Sequence, residues 1–202
     1  MSELLRWTIP GLVLAGPLHL FLARWHAAPR LAVWLLAAPA IGFVLQQLVR
    51  LRFEVGQQGY RRPQRAALAE IISRGNLGAR TDRGDLAYQA YEIVLYQRPE
   101  LRAACDHEHR ARDAHFLCWS TAVACTAGTV LALLACGAAP AVAVLYLLAL
   151  PLAAVVLYRK GKETLDALET FDRGLICANW PLYEAALQAV CDRQNTLSAK
   201  HP

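Results

Sequence analysis

The sequence predicts an all-α integral membrane protein with four transmembrane helices and a cytoplasmic helical module. Three observations carry this. Of 202 residues, 56% are hydrophobic and 18% charged, with a mean hydropathy of +0.26, a balance too apolar for a water-soluble globule. The apolar residues are gathered into uncharged runs at Trp7–Ala23, Leu31–Val49 and Phe116–Tyr158. Nearly all the charge falls in residues 50–115 and 159–202. That segregation excludes a soluble core, a disordered tail and a secreted disulfide scaffold, because lipid is the solvent that favours long uncharged helices.

Residues 1–49 read as an N-terminal transmembrane hairpin. A hydrocarbon core about 30 Å thick takes about 20 helical residues. Trp7–Ala23 has 17 residues with Pro10 and Pro17, and Leu31–Val49 has 19 with Pro39. The pair is therefore short, and a tilted or re-entrant hairpin is the competing form. Trp7 and Trp25 bracket the first run and Trp34 stands near the start of the second, positions where an indole favours the membrane interface. Arg6 is offset by Glu3 and no clean small-x-small site follows, which argues for a retained helix and against a cleaved leader.

Residues 116–158 read as a C-terminal transmembrane hairpin. Phe116–Cys136 is 21 residues long. Gly137-Ala138-Ala139-Pro140 is an uncharged turn signal, and the run to Tyr158 returns antiparallel. Arg50 and Arg52 leave the second run, Arg110 and Arg112 enter the third, and Arg159, Lys160 and Lys162 leave the fourth. By the positive-inside rule these flanks and both termini are expected in the cytoplasm. Arg24 and Arg30 in the first loop oppose this and are outnumbered. The Ala- and Arg-rich composition suggests a multi-pass protein of a bacterial inner membrane.

Residues 50–115 form the cytoplasmic helical segment and residues 159–202 a cytoplasmic helical tail. Pro63 opens a helix to Arg74, with Leu68, Ile71 and Ile72 on one stripe, and Gly75-Asn76-Leu77-Gly78 stops it. Asp85 is the expected N-cap of a helix to Tyr96. Pro99 starts another, continuous with the third span. The tail extends the fourth helix to about Ala178, breaks at Asn179-Trp180-Pro181, and ends in a helix that frays from residue 196.

Residues 50–115 carry twelve Arg and nine acids, for +3, while 159–202 balance to zero. A footprint this mild fits a solvated or lipid-facing surface and argues against nucleic acid. The six cysteines contain no C-x-x-C pair and three lie in one apolar run, so they read as small buried hydrophobes, with no disulfide, metal or cofactor assigned.

The densest polar cluster is Cys105-Asp106-His107-Glu108-His109, followed by Asp113 and His115. On a helix Asp106, His109 and Asp113 share a face at i, i+3, i+7, and with His115 they form the candidate catalytic set if the protein is an enzyme. In the membrane, His19 is a costly polar group that calls for a partner or a wet cavity. Ser120, Ala124, Gly128 and Ala132 recur at i+4, with Thr121 on the adjacent stripe, a pattern that lets helices approach closely and hydroxyls bond across the contact. Gln46 and Gln47 stand at the cytoplasmic mouth. Four short spans enclose no wide pathway alone, so the leading expectation is a homo-oligomeric channel, pore or membrane-perturbing effector, assembled or gated by its cytoplasmic helices. His19, Gln46, Gln47, Ser120, Thr121, Ala124 and Gly128 are its pore or packing residues. The alternatives are a non-catalytic anchor or scaffold for a cytoplasmic protein partner, and a membrane enzyme using the Asp/His cluster. The expected partners are the bilayer, further copies of the chain and that protein.

Overall fold

The computed structural model describes residues 3–25, 27, 29–53, 65–78, 82–137 and 140–200. Every regular element among them is helical: α1 (Glu3–Ala23), α2 (Leu31–Phe53), α3 (Arg65–Arg74), α4 (Arg83–Gln97), a 3-10 turn (Pro99–Leu101), α5 (Arg102–Leu134), α6 (Pro140–Ala178) and α7 (Trp180–Lys200). The all-α expectation is met. The chain divides into two compact units, one from Met1–Gly59 with Asp113–Thr164, the other from Tyr60–Arg112 with Leu165–Pro202. Helices α5 and α6 contribute to both.

In the first unit α1 and α2 pack antiparallel through two glycines. A Cβ at Gly11 would overlap the Ala38 carbonyl and one at Gly42 the Trp7 carbonyl, so the two backbones touch only because those side chains are absent. The second pair is also antiparallel: Gly128 faces Leu150, and Gly161 takes the ring of Trp119. Helix α1 runs parallel to α5, with Arg6 paired to Asp113, Pro17 beside Gly128 and Arg24 donating to the Leu134 carbonyl at 2.5 Å.

The outer surface of this unit is apolar. Leu145, Leu148 and Leu152 on α6 are 66–70% exposed, and every exposed large hydrophobic among the described residues except Tyr96 belongs to the first unit. Among the described residues three helices, not four, are long and apolar enough to cross a membrane: α2 through Ala32–Val49, α5 and α6. The shortfall lies in α1, where Arg6, Pro10, Pro17 and His19 dilute the apolar residues. Its polar groups are instead turned to neighbouring helices, Arg6 to Asp113 and His19 to Trp34. Helix α6 has 39 residues, about 58 Å at 1.5 Å per residue, twice the hydrocarbon thickness. Its charged part begins at Arg159, so the apolar segment ends at Tyr158.

The second unit has an ordinary closed core. Ala67, Leu68 and Ile71 of α3, Leu86, Ala90, Tyr91 and Val94 of α4, Ile176 of α6 and Tyr183, Leu187 and Val190 of α7 form one buried cluster. Helix α3 ends as the glycine signal predicts, with Leu77 N–H returning to the Ile72 carbonyl at 3.1 Å. The left-handed residue of that turn is Asn76, at φ 52°, a residue type that tolerates this region better than most. The Pro63 start of α3 lies outside the described residues.

Two boundaries differ from expectation. Helix α4 begins three residues earlier, so Asp82 precedes it and Asp85 lies in its first turn, where a carboxylate still complements the dipole. Helix α7 starts at Trp180 and continues to Lys200, past the expected fraying point.

A candidate functional site in the second unit

The first turns of helix α5 carry Cys105, Glu108 and Arg112 along one stripe, at i, i+3 and i+7, continuing from Leu101 of the preceding 3-10 turn. The helical period turns that stripe inward, so Glu108 is fully buried and Arg112 nearly so. The two form an intrahelical ion pair. On α6 the same geometry aligns Leu165, Leu168, Asp172 and Ile176, all buried. Burial of a second carboxylate thus follows from its place between apolar neighbours.

Glu108, Arg112 and Tyr91 form a connected set in the interior, which Tyr96 joins. The Tyr91 hydroxyl donates to Glu108 Oε1 at 3.4 Å and Tyr96 to Glu108 Oε2 at 3.3 Å. The rings of Tyr91 and Tyr183 stack with centroids 6.5 Å apart. Among the described residues neither Asp172 oxygen has a partner of good hydrogen-bond geometry, nor does the Tyr183 hydroxyl. Burial pushes the Asp172 carboxyl up to about 7, against the opposing pull of the Arg112 charge and the Tyr91 hydroxyl, because taking a charge out of water is costly in a dry core. Burial and the neighbouring Asp172 charge likewise raise Tyr183.

Tyr96 links this interior to the surface. Its ring lies 5.6 Å from that of His109, at the rim of a cleft of about 440 Å³ that also holds Arg98, Arg102, Cys105 and Asp106. The cleft combines two exposed guanidinium groups with one imidazole and one carboxylate, a set suited to gripping an anionic group. Burial raises the Cys105 thiol, which disfavours its thiolate form.

The predicted enzymatic set is split. Asp106 and His109 share the cleft, but Asp113 pairs with Arg6 in the first unit. His115 is buried there, with Nδ1 2.8 Å from the Gly161 carbonyl. Among the described residues no three of His, Cys, Asp and Glu converge as metal ligands. Glu108, Arg112 and Asp172 were missed as a group because charge was read as a sign of exposure. The sequence signal was their place on the apolar stripes.

The membrane candidates are engaged within the chain. His19 Nδ1 accepts the Trp34 indole N–H at 2.9 Å. Ser120 donates to the Phe116 carbonyl at 2.7 Å and Thr121 to the Leu117 carbonyl at 2.7 Å, so these hydroxyls bond along their own helix and not across the contact. Ala124 is fully buried, Gln46 is 5% exposed, Gly128 is buried and Gln47 half-buried. Comparison with family models, with curated proteins and with solved structures gives no match for this chain.

Proposed function

We propose that this chain is a non-catalytic membrane anchor whose second unit, in the cytosol, docks an acidic segment of a protein partner. One observation carries the reading: among the described residues the membrane helices of the first unit turn large apolar side chains outward, while His19, Ser120 and Thr121 bond to Trp34 or along their own helix, a surface that suits lipid better than a lumen. A pore built from several copies would need His19, Ser120 and Thr121 facing a lumen, and each already has a partner on a neighbouring or its own helix. The basic flanks beside α2, α5 and α6 fit the cytoplasmic face. The parallel run of α1 and α5 supports putting the amino end on that same side, and both termini are proposed to lie in the cytosol of a bacterial inner membrane. The cleft with Arg98 and Arg102 supplies the chemistry for the partner's carboxylates.

The test is reconstitution of the purified chain in liposomes, with the mass of the protein particle and the leakage of trapped ions measured together. A monomer in sealed vesicles is expected. A ring-sized multimer that leaks ions would overturn the anchor reading, and a chain that stays dissolved without detergent would overturn the membrane reading itself.

A further inference from the structure

Helices α5 and α6 leave between them an open groove of about 500 Å³. Its walls are small or apolar along most of their length, with Ala122 and Val123 on one side and Ala154 and Val155 on the other. At one end Trp119 and Tyr158 stack, with centroids 5.9 Å apart and planes 12° from parallel. Just beyond them Arg159 and Lys162 close the groove, three residues apart and therefore on one face of α6. From Ala154 to Tyr158 the helix rises about 6 Å, enough to hold the headgroup-side part of one acyl chain, and from there to Lys162 about 6 Å more.

The charges at that end are uncommitted. Lys160, between them in sequence, is held by Glu163 at 3.3 Å. Arg159 and Lys162 are exposed, and neither has a carboxylate partner among the described residues. A short apolar slot, an aromatic pair at the interface and two exposed cations beside it match the parts of one molecule in order: the headgroup-side part of an acyl chain, glycerol region and phosphate.

We propose that this groove is a binding site for an anionic phospholipid, with one acyl chain against Ala122, Val123, Ala154 and Val155 and the phosphate on Arg159 and Lys162. The inference rests on the membrane reading above and assigns a ligand to its lipid-facing surface. Zwitterionic lipid fills the same slot less well, because its headgroup amine opposes the two cations.

The test is native mass spectrometry of the full chain released from nanodiscs containing equal phosphatidylglycerol and phosphatidylcholine. One retained lipid is expected, with phosphatidylglycerol favoured roughly tenfold or more, since each juxtamembrane cation strengthens binding to anionic lipid. Arg159→Gln with Lys162→Gln should reduce that preference to about twofold or less while the helical circular dichroism is unchanged. Lys160→Gln, which removes the charge already paired, should keep it. Ala154→Phe, which fills the slot and leaves both cations, should lower retention of both lipids. Equal retention of the two lipids by the wild-type chain, or an undiminished preference in the double variant, would overturn the site while leaving the membrane reading intact. A chain that fails to enter the nanodisc would overturn both.

Discussion

The Asp172 carboxyl makes the second unit sensitive to pH in the direction opposite to most carboxylates. In the unfolded chain it loses its proton near 3.8, whereas in the folded unit burial holds the proton until about pH 7. Between those values the folded state binds one proton more than the unfolded state, so stability falls as pH rises and levels off above about 7. At about 1.4 kcal/mol for each pH unit separating the two values, ionised Asp172 costs the unit about 4 kcal/mol. Arg112 and Tyr91 oppose that cost without cancelling it. Asp172→Asn keeps the shape and removes the charge. Hydrogen exchange of the α4 and α7 amides, corrected for intrinsic rates, reads the effect in the intact chain. Wild-type protection is expected to fall by up to about a thousandfold between pH 4 and pH 8, and the Asn variant to lose this slope and to be the better protected above pH 7. Equal wild-type protection at the two ends, or a slope surviving in Asp172→Asn, would refute the reasoning.

Other outcomes follow from particular contacts. Glu108→Gln leaves Arg112 buried without its countercharge, so the second unit should lose roughly 3–5 kcal/mol in the same exchange experiment, and pairing it with Arg112→Met should restore most of that. Gly11→Val drives a side chain into the Ala38 carbonyl and should abolish the folded yield in detergent, whereas Gly78→Ala, with open space around it, should leave yield and melting temperature unchanged. His19→Ala takes the acceptor from the buried Trp34 indole; a loss of roughly 1–3 kcal/mol and a shift in tryptophan emission are expected, with liposome leakage unaltered. Arg98→Gln with Arg102→Gln should weaken capture of an acidic peptide by the cleft without changing thermal melting, since both side chains are exposed.

The sequence alone determined the helical class, the two apolar hairpin regions and most breaks between helices. These rest on local rules that act over a few residues: Gly75 through Gly78 stop α3, Pro99 opens the turn before α5, and uncharged runs set the length of the apolar segments. It also located Asp106 and His109, which do share a cleft. What it could not supply was the partner of each polar group, because a partner distant in the chain leaves no local trace. Asp113 belongs to Arg6, 107 residues away, and His115 to Gly161, 46 residues away; only chain packing removed them from the predicted cluster. Gly11 and Gly42 were equally silent, since a glycine in an apolar helix reads as a weak helix former until another backbone is found against it. The count of membrane-competent helices is by contrast a matter of composition, since Arg6, Pro10, Pro17 and His19 lower the hydropathy of α1; what packing adds is the partner of each polar group, Asp113 for Arg6 and Trp34 for His19.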